Sequence, residues 1–124
     1  MRACPQTIFF GHAPGYWAHI SGDERYASEY YPDGPVLPGG RIQELLDELP
    51  NLYCDLSGFS GLNALERDIK HAKKFMVNYQ DRLVYGRDSF DGKLRDLILS
   101  LDLPQPVLEK IFYKNSEKIL AGKI

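Results

Sequence analysis

Three short apolar runs in this chain each end in a side chain that can move a proton. Thr7-Ile8-Phe9-Phe10-Gly11 leads into His12, Asn51-Leu52-Tyr53-Cys54 into Asp55, and Leu83-Val84-Tyr85-Gly86 into Arg87-Asp88-Ser89. Imidazole and carboxylate groups carry most general acid–base catalysis, and both ligate divalent metals. Asp88 has two readings. As a functional group it binds a divalent metal and takes a proton from the bound water; as a structural one it caps a helix that begins near Asp91. His12 is either a neutral imidazole donating to a developing oxyanion or a loop histidine held by backbone. Asp55 either supports the same site or makes a structural ion pair. Ser57 and Ser60 lie in a Gly-flanked turn with no base identifiable beside them, so a serine nucleophile is not expected.

The elements that must position these groups follow from periodicity. Residues 6–11 are β-branched and aromatic and read as a buried strand; 51–57 and 82–86 read as two more. Between His12 and Gly40 the chain holds four prolines, several glycines and the aromatics Tyr16, Trp17, Tyr30 and Tyr31. Long irregular segments inside a domain are usually binding loops or lids. These aromatics either wall a substrate pocket or fill a hydrophobic gap under the loop, with the pocket favoured slightly for Trp17, and a short helix is expected near 16–20. Ile42, Leu45, Leu46 and Leu49 form a helical stripe ended by Pro50. Residues 58–63 read as a Gly/Ser loop, and 64–79 as a helix with Leu65, Ile69, Ala72 and Met76 inward and Lys70, Lys73 and Lys74 outward. Leu94, Leu97, Ile98 and Leu101 mark another helix. A last one starts at Pro104, carries Val107, Leu108, Ile111 and Phe112, and breaks near Asn115, for which a structural role is expected. His19 and His71 read as surface or packing residues. Strand–helix alternation predicts right-handed crossovers and a parallel α/β sheet, in units of roughly 30 residues.

Composition narrows the function classes. The chain has 124 residues, 44 % hydrophobic and 26 % charged, with a formal net charge of −2. That suits one globular domain over residues 1–124. No Lys/Arg-rich stretch favours nucleic acid or an anionic membrane. No apolar run is long enough for a membrane-spanning helix, and no signal-peptide pattern opens the chain. Cys4 and Cys54 belong to no metal or disulfide motif, which points to a reduced, cytoplasmic protein.

Read in order, TIFFGHAPGYW, LPNLYCDLSG, NALERD, RLVYGRDSF and VLEKIFYKNSEKIL resemble the C-terminal part of metal-dependent amidohydrolases, in the amidohydrolase-related branch, also called amidohydrolase 2. The resemblance implies a (β/α)8 TIM barrel that hydrolyses C–N or C–O bonds or decarboxylates its substrate at one or two divalent metals. The three strands would be the sixth, seventh and eighth. His12 would then polarise substrate or help activate water, and Asp88 would be metal ligand and general base. Relatives often carry Thr or Ser where this chain has Arg87, a cation able to pair with Asp88 or with an anionic substrate group. Asp55 and Trp17 would line the substrate side.

The resemblance also implies a His-x-His metal motif on the first strand. The chain has three histidines, His12, His19 and His71, and no two are one residue apart. The expected architecture is therefore the last three-eighths of a barrel, incomplete alone. Zinc is the expected metal of the complete enzyme, with manganese as the alternative and weak or no metal binding by this chain by itself. A small-molecule substrate is expected, and as partner either a homo-oligomer or a complementing N-terminal barrel segment. The competing reading is a truncated, non-catalytic binding or assembly module whose bare sheet face holds a partner.

Overall fold

The computed structural model describes residues 1–122. Three parallel strands, β1 (Phe9–Gly11), β2 (Leu52–Leu56) and β3 (Leu83–Tyr85), form one sheet in the order β1-β2-β3. After β1 come α1 (Pro14–Trp17), two 3-10 turns (Ala18–Ile20 and Glu24–Ala27) and α2 (Arg41–Glu48). After β2 come α3 (Gly58–Glu66) and α4 (Ile69–Asn78). After β3 come α5 (Lys93–Ser100), α6 (Gln105–Glu109), a π-helical turn (Lys110–Lys114) and α7 (Asn115–Leu120). Among the described residues no helix is long and apolar enough to cross a membrane.

Strand alternation sets the core. Leu52, Cys54, Leu56 and Leu83 point to one face and are buried with Trp17, Ile20, Ile42, Leu46, Phe75, Met76, Ile98 and Ile111 in a single cluster. The other face carries Phe10, Tyr53, Asp55 and Val84, in register as Phe10 beside Tyr53 and Asp55 beside Val84. Phe10 is 49 % exposed, but Tyr53 is buried, because the Phe10 ring lies 6.0 Å away and the Arg82 guanidinium sits 5.7 Å over its ring. Arg82 is held there by donating to the Leu49 and Leu52 carbonyls. The second face is thus less bare than the sequence predicts.

Several element boundaries differ from expectation, each for a local reason. β1 begins at Phe9 rather than at residue 6, because the Asn51 side chain takes the Thr7 and Cys4 carbonyls and turns the chain away from the sheet. The expected loop at 58–63 is the start of α3: Ser60 and Gly61 are buried, with Gly61 beside Leu56 and Leu94. The expected single helix over 64–79 is divided at Asp68, which is extended and whose carboxylate accepts from the His71 and Val36 amides. Ile69 consequently faces outward.

Asn115 has the structural role expected of it. It is 5 % exposed, and its side-chain amide donates to the Gln80 and Leu83 carbonyls at 2.7 and 2.8 Å. The π turn just before it widens the helix and aims this amide at the start of β3. Removing the amide strands two carbonyls. Asn115→Ala is predicted to lower unfolding free energy by about 2 kcal/mol, read by thermal or urea denaturation.

Candidate functional site

The β1–β2 register pairs Gly11 with Cys54. One residue further, His12 arrives beside Asp55 on the sheet face away from the helices. Its Nδ1 lies 3.0 Å from Asp55 Oδ2, and its Nε2 lies 3.7 Å from Asp88 Oδ2. The three strands therefore deliver one imidazole and two carboxylates to one place, at the C-terminal edge of a parallel sheet. Side-chain exposure is 44 % for His12, 30 % for Asp55 and 63 % for Asp88, so the cluster faces solvent.

Asp88 is no helix cap: α5 starts at Lys93 with Gly92 as its N-cap residue. The carboxylate turns to His12 instead, on a backbone with φ 41°. Gly58, the first residue of α3, makes the room. Its φ is +59°, and an added Cβ would lie 3.0 Å from Asp88 Oδ2. Asp55 sits in an equally tight place, since a Cβ on Gly86 would come within 3.1 Å of its Oδ1.

Ser57 Oγ is 3.3 Å from His12 Nδ1, the nitrogen that also meets Asp55. A serine–histidine–aspartate triad places serine and carboxylate on opposite ring nitrogens. Here both are on one, and Ser57 is buried, so the cluster is not a serine nucleophile. A carboxylate accepts and cannot donate, so a hydrogen on Nδ1 suits Asp55, while Ser57 Oγ can accept from Nδ1 or donate to it.

One of the expected substrate-side residues stands elsewhere. Trp17 is 2 % exposed, packed edge-on against Tyr16 and Phe75, and its indole donates to the Asp55 main-chain carbonyl at 3.1 Å. It supports the site from beneath and presents no surface to a ligand. Arg87 is exposed next to Asp88 in sequence, donates to the Phe90 carbonyl at 2.6 Å and makes no ion pair with Asp88 among the described residues. Tyr16 is half-buried against Cys54, whereas Tyr31 is exposed and packs edge-on against Phe59, with Tyr30 exposed beside it in sequence. His71 stacks on Phe75 5.9 Å away, and burial pushes its pKa below the usual imidazole value.

Sequence reading missed the Trp17–Asp55 bond, the Ser57–His12 contact and the strain at Ala13. Ala13 follows His12 with φ 75° and ψ 165°, a region almost confined to glycine. Only an alanine between His12 and Pro14 hinted at it.

Among the described residues no group of three or more His, Cys, Asp or Glu side chains is placed to hold a metal ion. His12 Nε2 and Asp88 Oδ2 are two donors, where a catalytic zinc has about three protein ligands. These residues alone do not fit a resident divalent metal. No protein-family model matches the chain, and neither does any curated protein or solved structure.

Beneath the site, Tyr16 OH and Cys54 Sγ are 3.1 Å apart. Burial pushes the Cys54 thiol from its ordinary 9.0 up to about 12, against smaller opposing effects of Tyr16 and Arg82. Burial likewise drives the Tyr16 phenol upward. The native state thus keeps protons that the unfolded chain loses above pH 9, so stability is full below that pH and falls as pH rises toward 12. Native protein at pH 8 is predicted to alkylate at the exposed Cys4 and not at Cys54, read by mass spectrometry, with an alkaline loss of stability that is shallower in Cys54→Ala. A second prediction concerns strain. Ala13→Gly is expected to stabilise the fold by about 1 kcal/mol, the relieved strain outweighing the added unfolded-state entropy; a lowered melting temperature would contradict it.

Proposed function

We propose that the chain supplies the C-terminal part of the active site of an amidohydrolase-type hydrolase, as the sixth to eighth strand–helix units of a (β/α)8 barrel. The observation that carries this reading is the convergence of His12, Asp55 and Asp88 at the C-terminal ends of three parallel strands, where barrel enzymes place their chemistry. In this reading the other strands come from a further polypeptide segment or from a second copy, and they bring the ligands for a divalent metal, zinc or manganese, that this chain's residues do not complete. The two unpaired thiols fit a reduced, cytoplasmic setting.

The residues of this chain serve the reaction through protons. A water between His12 and Asp88 meets two acceptors. Asp88 takes one of its protons as the oxygen bonds to the substrate carbonyl carbon, and His12 Nε2 holds the other hydrogen and fixes the direction of attack. When the C–N or C–O bond breaks, the proton on Asp88 passes to the leaving atom. Decarboxylation is the nearest variant: Asp88 takes the proton of the substrate's carboxylic acid, a C–C bond breaks as carbon dioxide leaves, and that proton passes to the carbon left behind. The substrate is a small organic molecule, reached from the exposed side of the cluster.

A second reading, a non-catalytic binding or assembly module, is favoured by one feature. Phe10 stands half exposed on the helix-free sheet face, and β1 and β3 each have one strand edge without a partner among the described residues.

Size-exclusion chromatography with light scattering, followed by metal analysis of the peak and assay on small amides and esters, separates the two. The hydrolase reading expects an assembly of more than one polypeptide that carries zinc or manganese, and Asp88→Asn is expected to reduce its turnover at least ~100-fold. A metal-free, inactive monomer overturns it.

A further inference from the structure

We propose that Asp55 is the positioning residue for His12: it holds the ring as the Nδ1–H tautomer, so that Nε2 and Asp88 Oδ2 form a pair of acceptors that together select a group carrying two hydrogens, a water or a primary –NH2. The reaction served rests on the hydrolase reading above; the tautomer does not.

The geometry is one-sided. Asp55 Oδ2 is 3.0 Å from Nδ1, within hydrogen-bond distance, whereas Asp88 Oδ2 is 3.7 Å from Nε2, beyond it. Only Asp55 therefore lies within bonding distance of the ring, and in this proposal it sets which nitrogen carries hydrogen. Ser57 Oγ, 3.3 Å from the same Nδ1, accepts from it in this tautomer and would donate to it in the other. It offers nothing to Nε2.

Asp55 can dictate because it is itself fixed. It lies in the central strand, paired in register with Val84. The buried indole of Trp17 holds its main-chain carbonyl. Gly86 makes room for its side chain as Gly58 does for that of Asp88. Asp88 lacks the strand pairing and the indole bond: it lies beyond the end of β3 and is the more exposed of the two.

With Nδ1–H committed, Nε2 presents a lone pair toward a carboxylate that also accepts. Two acceptors 3.7 Å apart do not satisfy each other. One oxygen or nitrogen atom about 2.8 Å from both closes the gap, provided it brings a hydrogen for each. Water does so, and so does a primary amide or amine nitrogen. An ether or ester oxygen does not. The pair therefore suits the attacking water, or a leaving nitrogen with two hydrogens.

The test is nitrogen NMR of the intact chain with 15N-labelled histidine, above the ordinary imidazole titration range. His12 is identified by loss of its signals in His12→Gln, with His19 and His71 as internal references. Wild type is expected to show a protonated Nδ1 and an unprotonated Nε2 at His12. Asp55→Asn is expected to lose that pattern, since a carboxamide can equally donate to Nδ1, while Asp88→Asn keeps it. Unchanged circular dichroism confirms that the variants fold. A protonated Nε2 in wild type overturns the proposal even if no variant folds, as does an unchanged ring pattern in folded Asp55→Asn. A metal-free, inactive monomer with the expected ring pattern would end the hydrolase reading and leave Asp55 as the positioning residue. An active assembly with the opposite tautomer would do the reverse.

Discussion

The two-residue repeat of β2 is the constraint on which the site depends. β2 is the central strand, and its side chains must divide between a face packed on helices and one that is not. Burying Leu52, Cys54 and Leu56 leaves Tyr53 and Asp55 no choice but the opposite face. A slip of one residue would send Asp55 into the apolar core and bring Cys54 out. The parallel register with β1 then brings His12 alongside, and the return through β3 brings Asp88. Core packing and the placing of the carboxylates are the same decision.

The connections after each strand hold that arrangement against local cost. α1 begins two residues after His12, so the chain must turn at once, and Ala13 takes an unfavourable conformation to do it. The buried Trp17 at the end of α1 compensates: its ring fills the core, and its indole N–H is satisfied by the Asp55 carbonyl. Strain at Ala13 persists because β1 on one side and the buried Trp17 on the other fix the turn between them. Of the non-glycine residues with positive φ among those described, Ala13 and Asp88 lie at the cluster and Asp102 lies in the α5–α6 connection.

Much of this was legible in the sequence, for reasons that differ by element. α2 and α5 follow from apolar residues at helical spacing, because each lays one stripe on the core. The three strands follow from β-branched and aromatic runs, and their polar ends point to His12, Asp55 and Asp88. The start of α3 was not legible: Gly58, Ser60 and Gly61 carry loop chemistry, and tertiary packing beside Leu56 and Leu94 makes them helical, with Gly58 suited by its φ of +59° and its approach to Asp88. The division at Asp68 was hidden for the opposite reason, since the helical stripe continues through it while the Val36 amide, far away in sequence, claims its carboxylate. Trp17 misled because a tryptophan in a loop after a strand suits a pocket wall and a core anchor equally, and sequence cannot say which way it turns. Which nitrogen of His12 meets which carboxylate depends on atoms from three strands, so no local pattern encodes it.

The helix-free face is itself uneven, and the unevenness follows the strand direction. Toward the strands' N-terminal ends, Phe10 and Arg82 cover Tyr53, and Arg82 also closes two main-chain carbonyls. Toward the C-terminal ends, His12, Asp55 and Asp88 each keep part of their side chain exposed. Covering an imidazole and two carboxylates would cost solvation that one short contact and one long one do not return. Leaving Tyr53 open would cost apolar contact with no gain. The face is therefore sealed where it carries only packing residues and open where it carries proton-transfer groups. A partner that completed the sheet would meet Phe10 and the Tyr53 end with apolar side chains, and the polar end with groups that donate hydrogen bonds or bind a cation.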